Sequence, residues 1–458
     1  MSPFVPPLGS PWTHDGPSLM KKKAMTLRTL PLTLALMAAF TGPATAQSLS
    51  QLFEAAKGHD ATYKSARSQF DASLARAEQA KALLRPTANL GANVSESNIE
   101  LPTLNRQTGA RNMTFSGTQP LYRPGNKASY EQGMKQVALG EAQLKIAEQD
   151  LIVRLSQAYF DVLTAQESLN FVKAQKSAVS EQLAAAKRNF EVGTSTITDT
   201  REAQARFDLV TAQEIAADND LRVKQGILAD TVGQPQVKPQ PLLVAANIDR
   251  LQTGTVQSWV AQSSQDNGNL TAARIALEVA RLEIEKARAA EKPTLDLNAS
   301  YGMARFQNGS QVQVNNNTAT IGVAFNMPLY TGQASQNRIR ETVALEEKAR
   351  NDLEAAQRNV AQSTRTAFFG VESGLSQIKA LQAAEASSQS ALDANKLGYQ
   401  VGVRINIDVL NSQSQLFQTK RDLAKARHDV LVGQLRLRQA AGVLKADDVK
   451  NLDGLLRP

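Results

Sequence analysis

Few side chains in this sequence are of a type or spacing that makes or breaks bonds. Beyond residue 46 there are two histidines, His59 and His428, far apart and in different helical stretches. The chain has no cysteine, which removes disulfides, thiolate metal sites and a thiol nucleophile. No metal-ligand spacing, glycine-rich phosphate loop or nucleophile elbow occurs. Asp447 and Asp448 are adjacent, but they fall in a short tail and read as solvated charges. The pattern argues against an enzyme and assigns no metal and no cofactor. What remains is charge gathered at two turns. One is Phe190-Glu191-Val192-Gly193-Thr194-Ser195-Thr196-Ile197-Thr198-Asp199. The other is Tyr399-Gln400-Val401-Gly402-Val403-Arg404-Ile405-Asn406-Ile407-Asp408. In each, an aromatic residue ends one helical stretch and Val-Gly follows. Gly193 and Gly402 suit the left-handed residue that closes a helix. Asp199 and Asp408 lie in the first turn of the next helix, where the helix dipole favours acid by a few tenths to ~1 kcal/mol. Two such turns at matched positions mark a helical hairpin unit used twice.

The elements that carry these turns are long. Leu144, Leu151, Leu155, Ala158, Val162, Ala165, Leu169, Val172, Val179, Leu183, Ala186 and Phe190 recur mostly at spacings of three and four. They predict one helix over 126–190, which reaches ~100 Å at 1.5 Å per residue. A return helix follows over 198–232. In the second unit, helices are expected over 333–398 and 406–441. There Val409, Leu416, Leu423, Val430 and Leu437 hold a seven-residue step, the spacing of a coiled-coil seam. Helices of this length need partners alongside them.

Between the helices the period changes to two. A helix over 49–85 stops at Pro86, after which Ala88, Leu90, Ala92 and Val94 alternate with polar residues. A Gly/Asn/Thr-rich loop is expected over roughly 100–111, then a second alternating run ends at Pro120-Leu121-Tyr122. The plan returns later. A helix over 269–291 stops at Pro293. Leu295, Leu297, Ala299, Tyr301 and Met303 alternate with polar residues, a loop carrying Asn308-Gly309 and Asn315-Asn316-Asn317 follows, and Ile321, Val323, Phe325 and Met327 lead to Pro328-Leu329-Tyr330. Four strands with one polar and one apolar face match a transmembrane β-barrel. Four strands cannot close a barrel, so several chains must share one.

Met20-Lys21-Lys22-Lys23, the apolar run Leu30 to Phe40 and Ala44-Thr45-Ala46 read as a secretory signal cleaved after Ala46, behind a Pro-rich upstream extension. The mature chain then begins at Gln47, with no Cys there to carry a lipid. The formal net charge is +8, and basic and acidic residues alternate along the helices, so nucleic acid is not an expected partner. The domain plan is 1–46 extension and signal, 47–232 first repeat, 233–268 linker anchored by Trp259, 269–442 second repeat and 443–458 tail.

With these residues in view, the sequence resembles the TolC-like outer-membrane efflux proteins, nearest to members without a lipid anchor. The resemblance spans 47–458. It rests on the duplicated plan, the two Pro-Leu-Tyr strand ends, Tyr159-Phe160-Asp161-Val162 and the stretch Tyr399 to Leu410. It implies a mainly α fold with a β part: a long coiled-coil barrel continuous with an outer-membrane β-barrel shared by three protomers. It implies a homotrimer extending into the periplasm as the gated exit duct of efflux or type I secretion. The implied partners are a periplasmic adaptor, an inner-membrane pump or ABC transporter, and outer-membrane lipid. It implies that Thr198, Asp199, Tyr399 and Arg404 latch neighbouring coils, with Asp199 accepting from Tyr399 and Arg404. It also implies that Asp408 is a constriction-ring acid. The family's second ring acid is Asn411 here, so weaker cation selectivity is expected. An exported coiled-coil stalk or adhesin without a pore is the alternative; it predicts no paired amphipathic strands. A periplasmic adaptor would need a lipoyl-like β-sandwich, which is not found.

Overall fold

The computed structural model describes residues 47–102, 104–243, 254–308 and 312–456. The signal and upstream extension expected over 1–46 lie outside the described residues. In chain order the elements are α1 (Leu49–His59), α2 (Ala61–Ala82), β1 (Thr87–Leu101), β2 (Leu104–Tyr122), α3 (Pro124–Glu191), α4 (Ile197–Val232), α5 (Val256–Asp266), α6 (Gly268–Ala289), β3 (Thr294–Asn308), β4 (Val312–Asn326), α7 (Ala334–Gln400), α8 (Asn406–Ala440) and α9 (Ala446–Asp453). Among the described residues the chain is mainly helical with one sheet.

The long helices run where the apolar spacing put them. α3 has 68 residues and α7 has 67, about 100 Å each at the α-helical rise. All five residues of the seven-step seam on α8 are buried. Each such Leu or Val stabilises the packing by roughly 1.5–3 kcal/mol. The helix expected over 49–85 is two helices instead. Asp60 ends α1 and caps α2, accepting the Tyr63 N–H at 2.7 Å. Its carboxylate also takes two bonds from Arg154 of α3, at 3.0 and 3.1 Å.

The sheet has the order β1-β2-β3-β4, antiparallel throughout, with β2 against β3 joining the two hairpins. β1 and β4 are its edges. The strands reach further than expected. β1 continues to Leu101 and β2 starts at Leu104, so the loop expected over 100–111 is mostly paired backbone. Asn315, Asn316 and Asn317, expected in a loop, are strand residues paired with Arg305, Ala304 and Met303. Low strand propensity is overridden here by the continuous pairing of β4 along β3. On one face, cross-strand rows read Leu90-Phe115-Tyr301-Ala319 and Ala92-Met113-Met303-Asn317. On the other they read Asn89-Ser116-Ser300-Thr320 and Gly91-Thr114-Gly302-Thr318. Leu90, Phe115, Ile321, Val323 and Phe325 are exposed. At the base of the sheet Arg123 donates Nε and Nη2 to the two oxygens of Asp296, both at 2.7 Å, tying the start of α3 to β3.

The main core lies around the middle of the long helices. α1, the segment after α4 and the tail wrap it. Asp453 accepts the Leu49 and Ser50 N–H groups at 2.8 and 3.2 Å, and the Leu243 N–H donates to the Leu455 carbonyl at 2.9 Å. Buried Tyr159 donates its hydroxyl to the Gln240 carbonyl at 3.0 Å and accepts the Gln240 N–H at 2.8 Å. Trp259 of α5 packs beside Phe368, Val371 and Leu437. Among the described residues no helix is long and apolar enough to cross a membrane.

His428 sits in this core, stacked on Phe160 with ring centroids 5.5 Å apart. Its Nδ1 is 2.8 Å from the Thr164 hydroxyl, which donates to the Phe160 carbonyl. The ring must therefore donate from Nδ1 and be neutral at Nε2. Burial pushes its pKa down to about 4, with Arg427 adding to burial and Asp429 opposing it. The unfolded imidazole takes up its proton near about 6.5, the folded one only near 4, so stability is lost as pH falls through that window. Relative to His428→Gln, the wild type should lose on the order of 3 kcal/mol between pH 7 and pH 4. Urea unfolding of both followed by circular dichroism checks this; parallel pH dependence would refute it.

Candidate functional site

The two hairpin tips share one backbone device. After α3, the Gly193 N–H donates to the Phe190 carbonyl at 3.0 Å and the Thr194 N–H to the Asn189 carbonyl at 2.8 Å. After α7, the Gly402 N–H donates to the Tyr399 carbonyl at 3.1 Å and the Val403 N–H to the Gly398 carbonyl at 2.9 Å. This pairing is a Schellman closure and requires a left-handed residue. Gly193 has φ +76° and Gly402 φ +78°, which a side chain adopts only at a cost of roughly 1–2 kcal/mol.

The two return helices start differently. At α4, the Thr196 hydroxyl accepts the Asp199 N–H at 3.2 Å. Asp199 Oδ2 accepts the Thr196 N–H at 3.0 Å, the Thr196 hydroxyl at 2.8 Å and the Ser195 hydroxyl at 2.7 Å. Burial draws this carboxyl upward, but the bonds from Ser195 and Thr196 outweigh it and hold its pKa below the ordinary aspartate value. Oδ2 takes all three bonds, and Oδ1 accepts none among the described residues. Thr198, beside it, is exposed. At α8, Ile405 is the N-cap residue and makes no side-chain bond. Asp408 Oδ2 instead lies 3.7 Å from Arg404 Nη1, with side-chain exposures of 34% and 60%. So open a pair is worth little. The stem of Arg404 lies over Gly398, where a Cβ would stand 2.7 Å from the arginine Cγ.

Polar contacts stitch the second hairpin to the first. The Tyr399 hydroxyl accepts from Asn189 Nδ2 at 3.4 Å, and its ring packs on Leu392, Val409 and Leu416. Buried Asn406 donates to the Asp199 carbonyl at 3.5 Å and accepts from Gln182. Asn411 Oδ1 accepts from Arg206 Nη2 at 2.7 Å. Leu410 enters the apolar seam of α3 and α4 beside Val179 and Leu183. Within one chain, then, Asp199 is not joined to Tyr399 or to Arg404; each has a different partner. Sequence reasoning singled out Thr198, Asp199, Tyr399, Arg404, Asp408 and Asn411 but missed Asn189, Gln182, Arg206 and Asn406. One signal was present. Asn406 and Gln413 are seven apart and flank the α8 seam, and both are buried. A polar residue on such a seam sets register.

The site holds no group arranged for covalent chemistry. Among the described residues no cluster of three or more His, Cys, Asp or Glu could hold a metal. Its means are carboxylate, guanidinium, phenol and amide groups whose contacts can be made and released one at a time. Around them Val192, Ile197, Val401, Val403 and Ile405 are exposed.

Comparison with known proteins bears on this arrangement. The family model described as "Outer membrane efflux protein" matches residues 52–234 and 259–443. "Outer membrane protein TolC" of Vibrio cholerae is 32% identical over 90% of this chain and 94% of that protein. "Proteases secretion protein PrtF" of Dickeya chrysanthemi is 30% identical over 94% of this chain and 95% of that protein. The crystal structure of the outer membrane protein VceC from Vibrio cholerae superposes with a TM-score of 0.74, covering 86% of this chain and 96% of that one at 20% identity.

Proposed function

The chain belongs to the outer membrane efflux protein family, and on that premise we propose how it works. It is an outer-membrane protein reaching across the periplasm, an exit duct for efflux or type I secretion and not an enzyme. We propose that three copies associate, so that β4 of one chain pairs with β1 of the next and twelve strands close one barrel. The observation that carries this is the sheet: an exposed apolar face, a polar face and two free edges, joined to helices of about 100 Å. Since β1 and β4 run antiparallel, closure continues the pattern within the chain. The helices α3, α4, α7 and α8 of three chains then form the wall of a periplasmic tunnel. The separate family matches to 52–234 and 259–443 support descent of the two halves from one duplicated unit.

The tips are the entrance. Asp199 Oδ1, which accepts nothing among the described residues, and the exposed Arg404 guanidinium suit a latch between neighbouring coils, with Tyr399 and Thr198 beside it. The exposed valines and isoleucines at both tips suit docking of a periplasmic adaptor, which links the duct to an inner-membrane pump or ABC transporter. Substrate range lies with those partners. Asp408 from three chains forms one acidic ring. One turn on, Asn411 with its bound Arg206 offers no acid, so the filter has half the carboxylates of a two-ring relative.

Single-channel current in a planar bilayer tests the latch. The wild type should pass small steps that grow several-fold in Arg404→Ser with Tyr399→Phe. Large wild-type steps that the substitutions leave unchanged would keep the duct and remove the latch. Absence of steps from folded protein would return the chain to a coiled-coil stalk. Reversal potentials in a salt gradient test the filter. Asn411→Asp should raise cation preference only partly, because Arg206 would pair with the new acid. Adding Arg206→Gln should raise it further. Unchanged reversal potentials in both variants would put this pair outside the ion path.

A further inference from the structure

The apolar face of the sheet ends in a pair of like charges. Arg111 of β2 and Arg305 of β3 are register partners, flanked by Val94 and Asn315 in the same cross-strand row. Register partners hold their Cα atoms about 4.5–5.5 Å apart with both side chains on one face. Like charges so placed destabilise a sheet. Both arginines are exposed, and neither has an ion pair or side-chain hydrogen bond among the described residues. The next row towards the helices is Ala92-Met113-Met303-Asn317. From there to the Leu295-Phe325 pair this face carries no charge. Those rows span nine residues of β3, about 27 Å along the strand and roughly 20 Å in height at a barrel strand's tilt, which fits within the apolar band of a membrane barrel. The two arginines stand at the end of the band remote from the helices. Beside them is a cavity of about 200 Å³ whose lining includes Val94, Gly109, Arg305 and Gln307. Glu96 also borders it, and its carboxylate accepts from Gln107.

We infer that Arg111 and Arg305 together bind the phosphate of an anionic, phosphomonoester-bearing lipid in the outer leaflet, whose acyl chains lie along the apolar rows below. The inference rests on the proposed membrane barrel. A doubly charged phosphate set between two guanidinium groups accepts from both forks and turns the mutual repulsion of the arginines into attraction to a common partner. The neighbouring chain's strands lie at the edges β1 and β4, so this central pair on β2 and β3 stays open to lipid in an assembled ring.

The test uses the full mature chain in phosphatidylcholine vesicles, with and without a minor fraction of bisphosphorylated lipid A. The phosphomonoester lipid should raise the thermal unfolding midpoint of the wild type by about 4 °C, the scale expected for a ligand held by the folded sheet and not by the unfolded chain. Arg111→Gln with Arg305→Gln should lose that shift while melting no lower than the wild type in phosphatidylcholine alone, since the substitution also removes the repulsion between the two charges. Arg111→Lys with Arg305→Lys should keep part of it. An equal shift in wild type and the glutamine variant would overturn the site, as would an equal shift from inorganic phosphate in solution. Single-channel steps in phosphatidylcholine separate this from the larger reading. Steps without a lipid-dependent shift would sink the lipid site alone, and no steps would sink the barrel on which it rests.

Discussion

A strand edge cannot be left bare in a hydrocarbon layer. No water reaches its N–H and C=O groups there, and each unpaired group costs several kcal/mol. Among the described residues this chain has one four-stranded sheet whose exposed apolar face suits lipid and whose edges β1 and β4 are free. The proposal that several chains close one ring follows from that constraint; the number three comes from the family resemblance. The amphipathic pattern fits it, with Thr, Ser, Asn and Gly collected on the face that a closed barrel would turn inward. In the proposed ring the helices inherit the same arrangement. Each strand pair leads directly into a helix of nearly seventy residues, so a ring of strands sets the spacing of a ring of helices. Arg123 and Asp296 fix that passage from strand to helix with two short bonds.

The rest of the molecule divides into a firm middle and adjustable ends. Around the waist, α1, the segment after α4 and the tail are tied down by Asp453, Tyr159 and the Asp60–Arg154 pair over the largest apolar core. Towards the tips the apolar seams thin to a few residues, such as Leu392, Val409 and Leu416, and polar contacts take over. Those contacts are individually modest. A neutral hydrogen bond contributes about 0.5–1.5 kcal/mol and an exposed ion pair less. A gate assembled from such increments can be opened by a docking partner without unfolding the coils that carry it.

Much of this was legible in the sequence, for physical reasons. The seam from Val409 to Leu437 is read from spacing alone because burial on a long helix must recur every seven residues. Gly193 and Gly402 are read from the turn because only a left-handed residue completes the closure observed there. The strands were legible by alternation, but their ends were not. Asn315, Asn316 and Asn317 look like a loop by composition, and only pairing with β3 makes them strand. The break at Asp60 was hidden for a related reason, since the partner that holds its carboxylate, Arg154, is distant in sequence. The same holds at the tips. Asn189 with Tyr399, and Arg206 with Asn411, join residues about two hundred positions apart, and no local pattern announces them. For Asp199 the family resemblance supplied partners on neighbouring coils, whereas within one chain the carboxylate serves its own helix start.

The central claim is that β4 of one chain pairs with β1 of the next in a ring of three. Because the chain has no cysteine, introduced thiols report that contact without interference. Asn93→Cys on β1, combined in turn with Asn316→Cys, Thr318→Cys and Thr320→Cys on β4, samples the possible registers on the polar face. After mild oxidation of the assembled protein, denaturing electrophoresis should give covalent dimer and trimer and nothing larger for at least one pair. The single-cysteine parents should give no trimer. Only monomer from every pair, or a ladder that continues beyond three, would contradict the shared barrel.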